Sequence, residues 1–214
     1  MHGRCGFQLS GNHYLTLMNS GQLLIIFIRN PVKGRVKTRL AKTIGADKAL
    51  EVYKELLLHT FNNTKNCTCN KIVYYSESIG KEDMWQGAGY LQALQHGDDL
   101  GAKMYNAFDS AFHNAYKEVI LIGSDCMALD EKLLLQGFDQ LHKNPAILGP
   151  ASDGGFYLIG LKNAAPDFFL NKTWSHSKVS EEMKNSLKTH GIKPYLLPEL
   201  SDIDVEQDWL NYNK

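Results

Sequence analysis

The chain has 214 residues, 43% hydrophobic and 21% charged, which suits one large domain with a sizeable core and argues against disorder. Its 23 Lys and Arg balance 23 Asp and Glu, so no global field attracts nucleic acid or an anionic membrane, and any polyanion site must be local. The four cysteines, Cys5, Cys67, Cys69 and Cys126, include no CxxC pair and read as reduced thiols of a cytoplasmic protein rather than a disulfide framework. The longest uninterrupted apolar run, Leu23 to Ile28, is far short of the ~20 residues that span a bilayer.

Residues 1–20 are polar and aperiodic and lack the apolar core and cleavage site of a signal peptide. They read as a poorly ordered N-terminal extension, with Met18 a second candidate start, ahead of one domain over 21–214. Leu23–Ile28 reads as a strand. In the basic stretch that follows, Pro31 and Gly34 punctuate a loop before helical spacing resumes. Arg29, Lys33, Arg35, Lys37, Arg39 and Lys42 fall here, with no acid between Arg29 and Ala46. In a chain of zero net charge that asymmetry points to an anion site, with phosphate the natural guest of a helix start flanked by Lys and Arg. A solvated basic loop is the bland alternative.

Apolar residues from Ala46 to Phe61 recur at helical spacing, predicting a helix packed on a sheet. Lys71–Tyr75 reads as a second strand, residues 78–89 as a region with a short helix at most, and Leu91–Leu94 as another strand. A loop with Asp98 and Asp99 precedes a helix that either acid could cap, and the loop could also border a ligand. Val119–Ile122 has the unbroken branched character of a strand buried on both faces. Gly123 and Ser124 end it and present Asp125, which either meets a ligand beyond the strand's carboxyl end or caps the helix starting near Asp130. After a further helix, Ala146–Gly149 and Phe156–Leu161 read as strands about an Asp153-Gly154-Gly155 turn, whose glycines tolerate positive φ and allow close approach to the backbone. Trp174 is a core or lid residue, His176 a surface histidine, and Ser175 or Ser177 a cap for the next helix. Pro194–Leu197 is a late strand. Asp204 and Gln207 have capping-box spacing for a last short helix.

The alternation of strands and helices predicts a three-layer αβα arrangement around a mostly parallel sheet. The order of motifs is Pro-Val-Lys-Gly-Arg-Val-Lys-Thr-Arg-Leu after the first strand, Gly-Asp-Asp-Leu-Gly, Gly-Ser-Asp-Cys, Gly-Pro-Ala-Ser-Asp-Gly-Gly-Phe-Tyr-Leu-Ile-Gly-Leu, Trp-Ser, and Asp-Ile-Asp-Val-Glu-Gln-Asp. From about Gln22 onward this resembles a bacterial family of glycosyltransferases with the nucleotide-diphospho-sugar transferase (GT-A-like) fold, some members of which are linked to arsenosugar biosynthesis. More distantly it is similar to the phospholactate and molybdenum-cofactor guanylyltransferases.

The resemblance implies that the loop from Arg29, through Lys33, Lys37, Thr38 and Arg39, holds nucleotide phosphates, with Lys37 and Arg39 in direct contact. It implies that Asp125 stands where these transferases place the metal-binding acid; a divalent cation, Mg²⁺ or Mn²⁺, is expected on Asp125 and Asp204, with Asp125 and Asp153 expected to serve the chemistry. Asp99, Gly154, Gly155 and Trp174 would border the acceptor. Ser124-Asp125-Cys126-Met127 departs from the Asp-x-Asp signature of many glycosyltransferases, and from the Pro usual in this family at position 127, so Asp125 needs help from Asp153, Asp202 or Asp204. The expected activity is transfer of a sugar from a nucleotide-diphospho-sugar to a small acceptor. Transfer of a nucleotidyl group from a nucleoside triphosphate to a phosphorylated small molecule is the alternative, and a non-catalytic nucleotide-binding module is a third.

Overall fold

The computed structural model describes residues 21–212; the expected extension over 1–20 and Cys5 within it lie outside the described residues. Strand β1 (Gln22–Ile28) leads through the basic loop to α1 (Thr38–Ile44) and α2 (Ala46–Thr64). Strands β2 (Asn70–Tyr75) and β3 (Tyr90–Leu94), helix α3 (Leu100–His113), strand β4 (Glu118–Ile122) and helix α4 (Glu131–Lys143) follow. The hairpin β5 (Ala146–Pro150) and β6 (Phe156–Leu161) precedes α5 (Pro166–Phe169), α6 (Val179–Thr189), β7 (Tyr195–Leu196) and α7 (Glu206–Tyr212).

The seven strands form one sheet in the order β3-β2-β1-β4-β6-β5-β7. Strand β6 lies antiparallel to both β4 and β5, and every other pairing is parallel. The unbroken apolar character of β1 follows from burial on both faces. Leu24, Ile26 and Ile28 join Leu40, Tyr53 and Leu56 on one side, while Leu23, Ile25 and Phe27 join Met104, Phe108 and Met183 on the other. This two-residue alternation between two cores makes three layers, and each fully buried Leu or Ile contributes roughly 1.5–3 kcal/mol. Helix α2 covers the first face and α3 the second. Chain connections diverge between β1 and β4, which creates the crevice at their carboxyl ends where open α/β sheets bind ligands.

Residues 78–89 contain no helix. They are anchored by buried Trp85, packed edge-on against Phe61 and Tyr90. Asp99 caps α3 by accepting from the Ala102 amide, and Asp130 caps α4 by accepting from that of Leu133. Asp125 is thereby released from the capping alternative. Two other cap expectations are corrected. Helix α6 has Lys178 at its N-cap position with no side-chain cap, so neither Ser175 nor Ser177 fills that role. At α7 the carboxylate of Asp208 accepts from the amides of Asp204 and Val205, and Gln207 binds Asn211, because the Asp204 side chain is drawn to Lys37 and Arg39 instead. Among the described residues no helix is long and apolar enough to cross a membrane.

Candidate active site

The carboxyl ends of β1, β2, β3 and β4 open into a cleft of about 640 Å³ bordered by Arg29, Asn30, Ser76, Gln95, Lys103 and Asp125. A second cavity of about 530 Å³ adjoins it, bordered by Arg39, Asp153, Gly155, Trp174, His176 and Asp204. The two share Phe27, Leu100, Gly123, Asp125, Phe156, Ser175 and Asp202, so they are two halves of one site meeting at Asp125.

The first half is held by a phenol. Tyr53 is buried in the apolar stripe of α2, and its hydroxyl accepts from the Arg29 amide at 2.8 Å. The same oxygen lies 3.1 Å from the Arg29 carbonyl and 3.2 Å from Ser124 Oγ. One buried group thus ties the end of β1 to the end of β4, and burial followed by the nearby Asp125 charge raises its pKa well above the ordinary value. Asn30 makes a similar brace toward β2: its carbonyl oxygen accepts from Ser76 Oγ and from the amides of Glu77 and Ser78. Gln95 donates to the carbonyls of Ile28 and Tyr74, across two strand ends.

Lys37 precedes α1 and borders neither cavity, but its side chain reaches the acids at their junction. Its backbone is left-handed, φ 46° and ψ 44°, a conformation that costs a non-glycine residue roughly 1–2 kcal/mol and persists only where surroundings enforce it. The enforcement is visible. With 4% of its side chain exposed, its ammonium lies 2.6 Å from the Ile203 carbonyl, 3.0 Å from Asp125 Oδ1 and 3.5 Å from Asp204 Oδ1. Arg39, 68% exposed, reaches the other oxygen of Asp204 at 3.2 Å.

Asp202 adds a third carboxylate. Burial, then the charge of Asp125, push its pKa from 3.8 up to about 7, with Asp153 and Asp204 acting the same way and Lys37 opposing. Its Oδ1 is buried with no hydrogen-bond partner. Cys126 beside it is held protonated, its thiol pushed up to about 12 by burial first and then by Asp202.

No group of three or more His, Cys, Asp and Glu among the described residues is arranged to enclose a metal. Mg²⁺ and Mn²⁺ do not require such a cage, since one or two carboxylates with water and substrate phosphate satisfy them. The orphaned Asp202 Oδ1 beside Asp125 and Asp204 fits that demand. Lys37 lies against two of the same carboxylates.

The remaining expected residues divide. Lys33 pairs with Asp47 and borders neither cavity. Thr38 opens α1, exposed and outside both linings. Asp99 is used as a cap, and the wall it was expected to form comes from Leu100 and Lys103. Asp153 lies in the second half, its Oδ1 accepting from the Gly155 amide at 2.8 Å. Gly154 has φ +91°, and a Cβ there would stand 2.0 Å from the Ser177 carbonyl oxygen; close chain packing explains it without a ligand. Trp174 stands edge-on to Phe156 at 6.4 Å and packs against Gly101. Sequence reasoning missed Tyr53, Gln95 and Lys103. A helical stripe marks Tyr53 only as core, and nothing local marks Lys103.

The architecture is that of the nucleotide-diphospho-sugar transferases, as comparison with solved structures shows. A candidate nucleotide-diphospho-sugar transferase from Desulfovibrio desulfuricans G20 matches with a TM-score of 0.80 at 29% identity, over 87% of this chain and 83% of that one. A 4-diphosphocytidyl-2C-methyl-D-erythritol synthase from Anaerococcus prevotii matches at TM-score 0.57 and 11% identity, over 91% and 98%. A cytidylyltransferase from Leptospira borgpetersenii matches at 0.55 and 13%, over 89% and 84%; at these identities both share the fold. Residues 60–176, more than half of the chain, match the family described as uncharacterized protein conserved in bacteria (DUF2064), and the chain belongs to that family. No curated protein matches the chain.

Proposed function

We propose that the protein is a nucleotide-using transferase that moves a sugar from a nucleotide-diphospho-sugar to an uncharged small acceptor. The observation that carries this reading is the division of charge across the cleft. Arg29 and Lys103 border the first half and form no ion pair among the described residues, which leaves both cations available to a diphosphate. Asp125 and Asp202 stand where the halves meet, Asp153 and Asp204 border the second half alone, and Arg39, itself paired to Asp204, is the one Lys or Arg that borders it among the described residues. Such a chamber repels a phosphorylated acceptor and suits hydroxyl groups.

In this reading Arg29 and Lys103 bind the diphosphate, and the brace of Tyr53, Asn30 and Gln95 fixes the strand ends around the nucleoside. A bound Mg²⁺ or Mn²⁺, held by Asp125 with Asp202 or Asp204, would supply charge neutralisation at the leaving diphosphate. Asp153 faces the acceptor and takes the hydroxyl proton as the new bond to the sugar carbon forms and the bond to the diphosphate oxygen breaks. Phe156 and Trp174 exclude water from the acceptor side.

Nucleotidyl transfer from a triphosphate onto a phosphate is the second reading, supported by the fold shared with cytidylyltransferases. A thermal-shift screen of nucleoside triphosphates and nucleotide sugars, with and without Mn²⁺ or Mg²⁺, separates the two. A ligand at 100 times its Kd adds roughly 2.7 kcal/mol of stability. A nucleotide-sugar shift without a triphosphate shift is expected. A triphosphate shift with pyrophosphate released in the presence of a phosphorylated acceptor would replace sugar transfer with nucleotidyl transfer.

A further inference from the structure

The cavity of about 530 Å³ in the second half has two linings of opposite chemistry. Two of its carboxylates lean on the first core: Asp125 and Asp204 are held by Lys37 at the start of α1, and the Asp125 carbonyl accepts from the amide of Ile203, which is buried in that core. The apolar lining includes Phe27, Leu100, Met104, Leu121, Phe156 and Trp174. Phe27, Met104 and Leu121 belong to the second core, and Phe156 and Trp174 pack against it, so on this side the cavity opens onto the end of that core. Leu100, in the first turn of α3, is 42% exposed and borders both halves. The indole N–H of Trp174 is buried without a hydrogen-bond partner, and a Cβ on Gly101 would stand 2.4 Å from it, so the ring offers the cavity no donor. Both ring nitrogens of His176 are engaged, Nε2 with the Thr173 carbonyl and Nδ1 with the Lys178 amide.

The geometry points to an acceptor that carries its hydroxyl on an apolar body, an aryl or alkyl alcohol and not a sugar or polyol; this assignment rests on the sugar-transfer reading of the site. A pocket with apolar walls and a few convergent polar groups selects ligands divided in the same way. A polyol seated here would press hydroxyls onto Phe27, Leu100 and Phe156 with no partner to replace water, and each unmatched group is costly to desolvate. An aryl or alkyl body instead removes that lining from water together with its own surface. Its hydroxyl is then left to the acids. During transfer the hydroxyl oxygen bonds to the sugar carbon as the bond from that carbon to the diphosphate oxygen breaks, its proton passes to Asp153, and the nucleoside diphosphate leaves.

The test titrates the full-length chain with 2-naphthol, an uncharged hydroxyl on an apolar body, in the absence of nucleotide, so that binding is read independently of the donor. One-to-one binding is expected, undisturbed by an excess of methyl β-D-glucopyranoside. Leu100→Asn and Phe156→Ser should each weaken it several-fold; Leu100 is exposed, so its variant keeps the comparison where Phe156→Ser fails to fold. With the nucleotide sugar from the ligand screen added, the expected product is the naphthyl glycoside, seen by mass. The assignment is overturned if 2-naphthol does not bind, if the glucopyranoside displaces it, or if Leu100→Asn, melting as the parent does, binds it with the parent affinity. Saturable 2-naphthol binding with no glycoside formed from any nucleotide sugar of the screen would instead remove the sugar-transfer reading and leave the site for an apolar alcohol standing.

Discussion

Lys37 directs its ammonium to three protein oxygens, on Ile203, Asp125 and Asp204. Sequence reading treats it as a phosphate ligand among other basic residues; the geometry gives it the further work of holding two acids together. Removing it leaves Asp125 without its ion pair and Asp204 with Arg39 alone. Lys37→Met is therefore expected to lower stability by roughly 1.5–3 kcal/mol, the range for hydrogen bonds to charged groups. Arg39→Ala, in an exposed pair, should lower it by less than about 1 kcal/mol. Urea unfolding of both variants checks this, and equal losses would show that Lys37 does not hold the two acids together. Arg29 and Lys103 make the converse case. Neither forms an ion pair among the described residues, so Arg29→Ala and Lys103→Ala should each weaken donor binding by roughly 1.5–3 kcal/mol with the melting temperature unchanged. Titration calorimetry with the donor from the ligand screen measures it, and full affinity in both variants would remove the diphosphate from that half of the cleft.

At the level of elements, the turn joining β5 and β6 meets the segment before α6 at Gly154, where the Ser177 backbone leaves no room for a Cβ and φ is positive. Gly154→Ala should cost on the order of 1–3 kcal/mol through strain and overpacking, a fall in melting temperature of roughly 2–4 °C per kcal/mol. It should also shift the Ser175 wall shared by both halves of the cleft; a variant that melts with the parent would show that the loops separate freely. The strands were legible in sequence because burial on both faces leaves unbroken apolar runs, and the basic loop because it lacked acids. The placement of β6 between β4 and β5 was not, because pairing direction is decided by hairpin geometry and not by local pattern. Asp204 misled for a related reason. Its spacing to Gln207 fits a capping box, yet Lys37 and Arg39, more than 160 positions earlier, compete for the same carboxylate. Tyr53 shows the same limit from the apolar side: its ring belongs to the helical stripe, while its hydroxyl acquires a role only when β1 and β4 lie together.

For the molecule as a whole, Asp202 links the site to folding. Its carboxyl titrates near 3.8 when freely solvated and at about 7 in the folded chain, so the native state binds a proton that the unfolded state releases across that window. The associated stability is fully present below pH 3.8 and is lost as pH rises through 7. Above that, the native state must hold a poorly solvated carboxylate beside Asp125, Asp153 and Asp204, with Lys37 as partial compensation. Asp202→Asn keeps the shape and removes the titration. Without divalent cation, the wild type should therefore lose stability relative to this variant between pH 4 and pH 8, by an amount on the order of a few kcal/mol. The variant should be the more stable of the two at pH 8. Adding Mn²⁺ at pH 8 should narrow the gap by stabilising the wild type, because a cation favours the ionised carboxylate. Urea melts of both proteins at pH 5 and pH 8, with and without Mn²⁺, give the comparison. A wild-type-to-variant difference that is the same at both pH values would show that Asp202 does not carry the proton, and a gap that ignores Mn²⁺ would separate Asp202 from the metal.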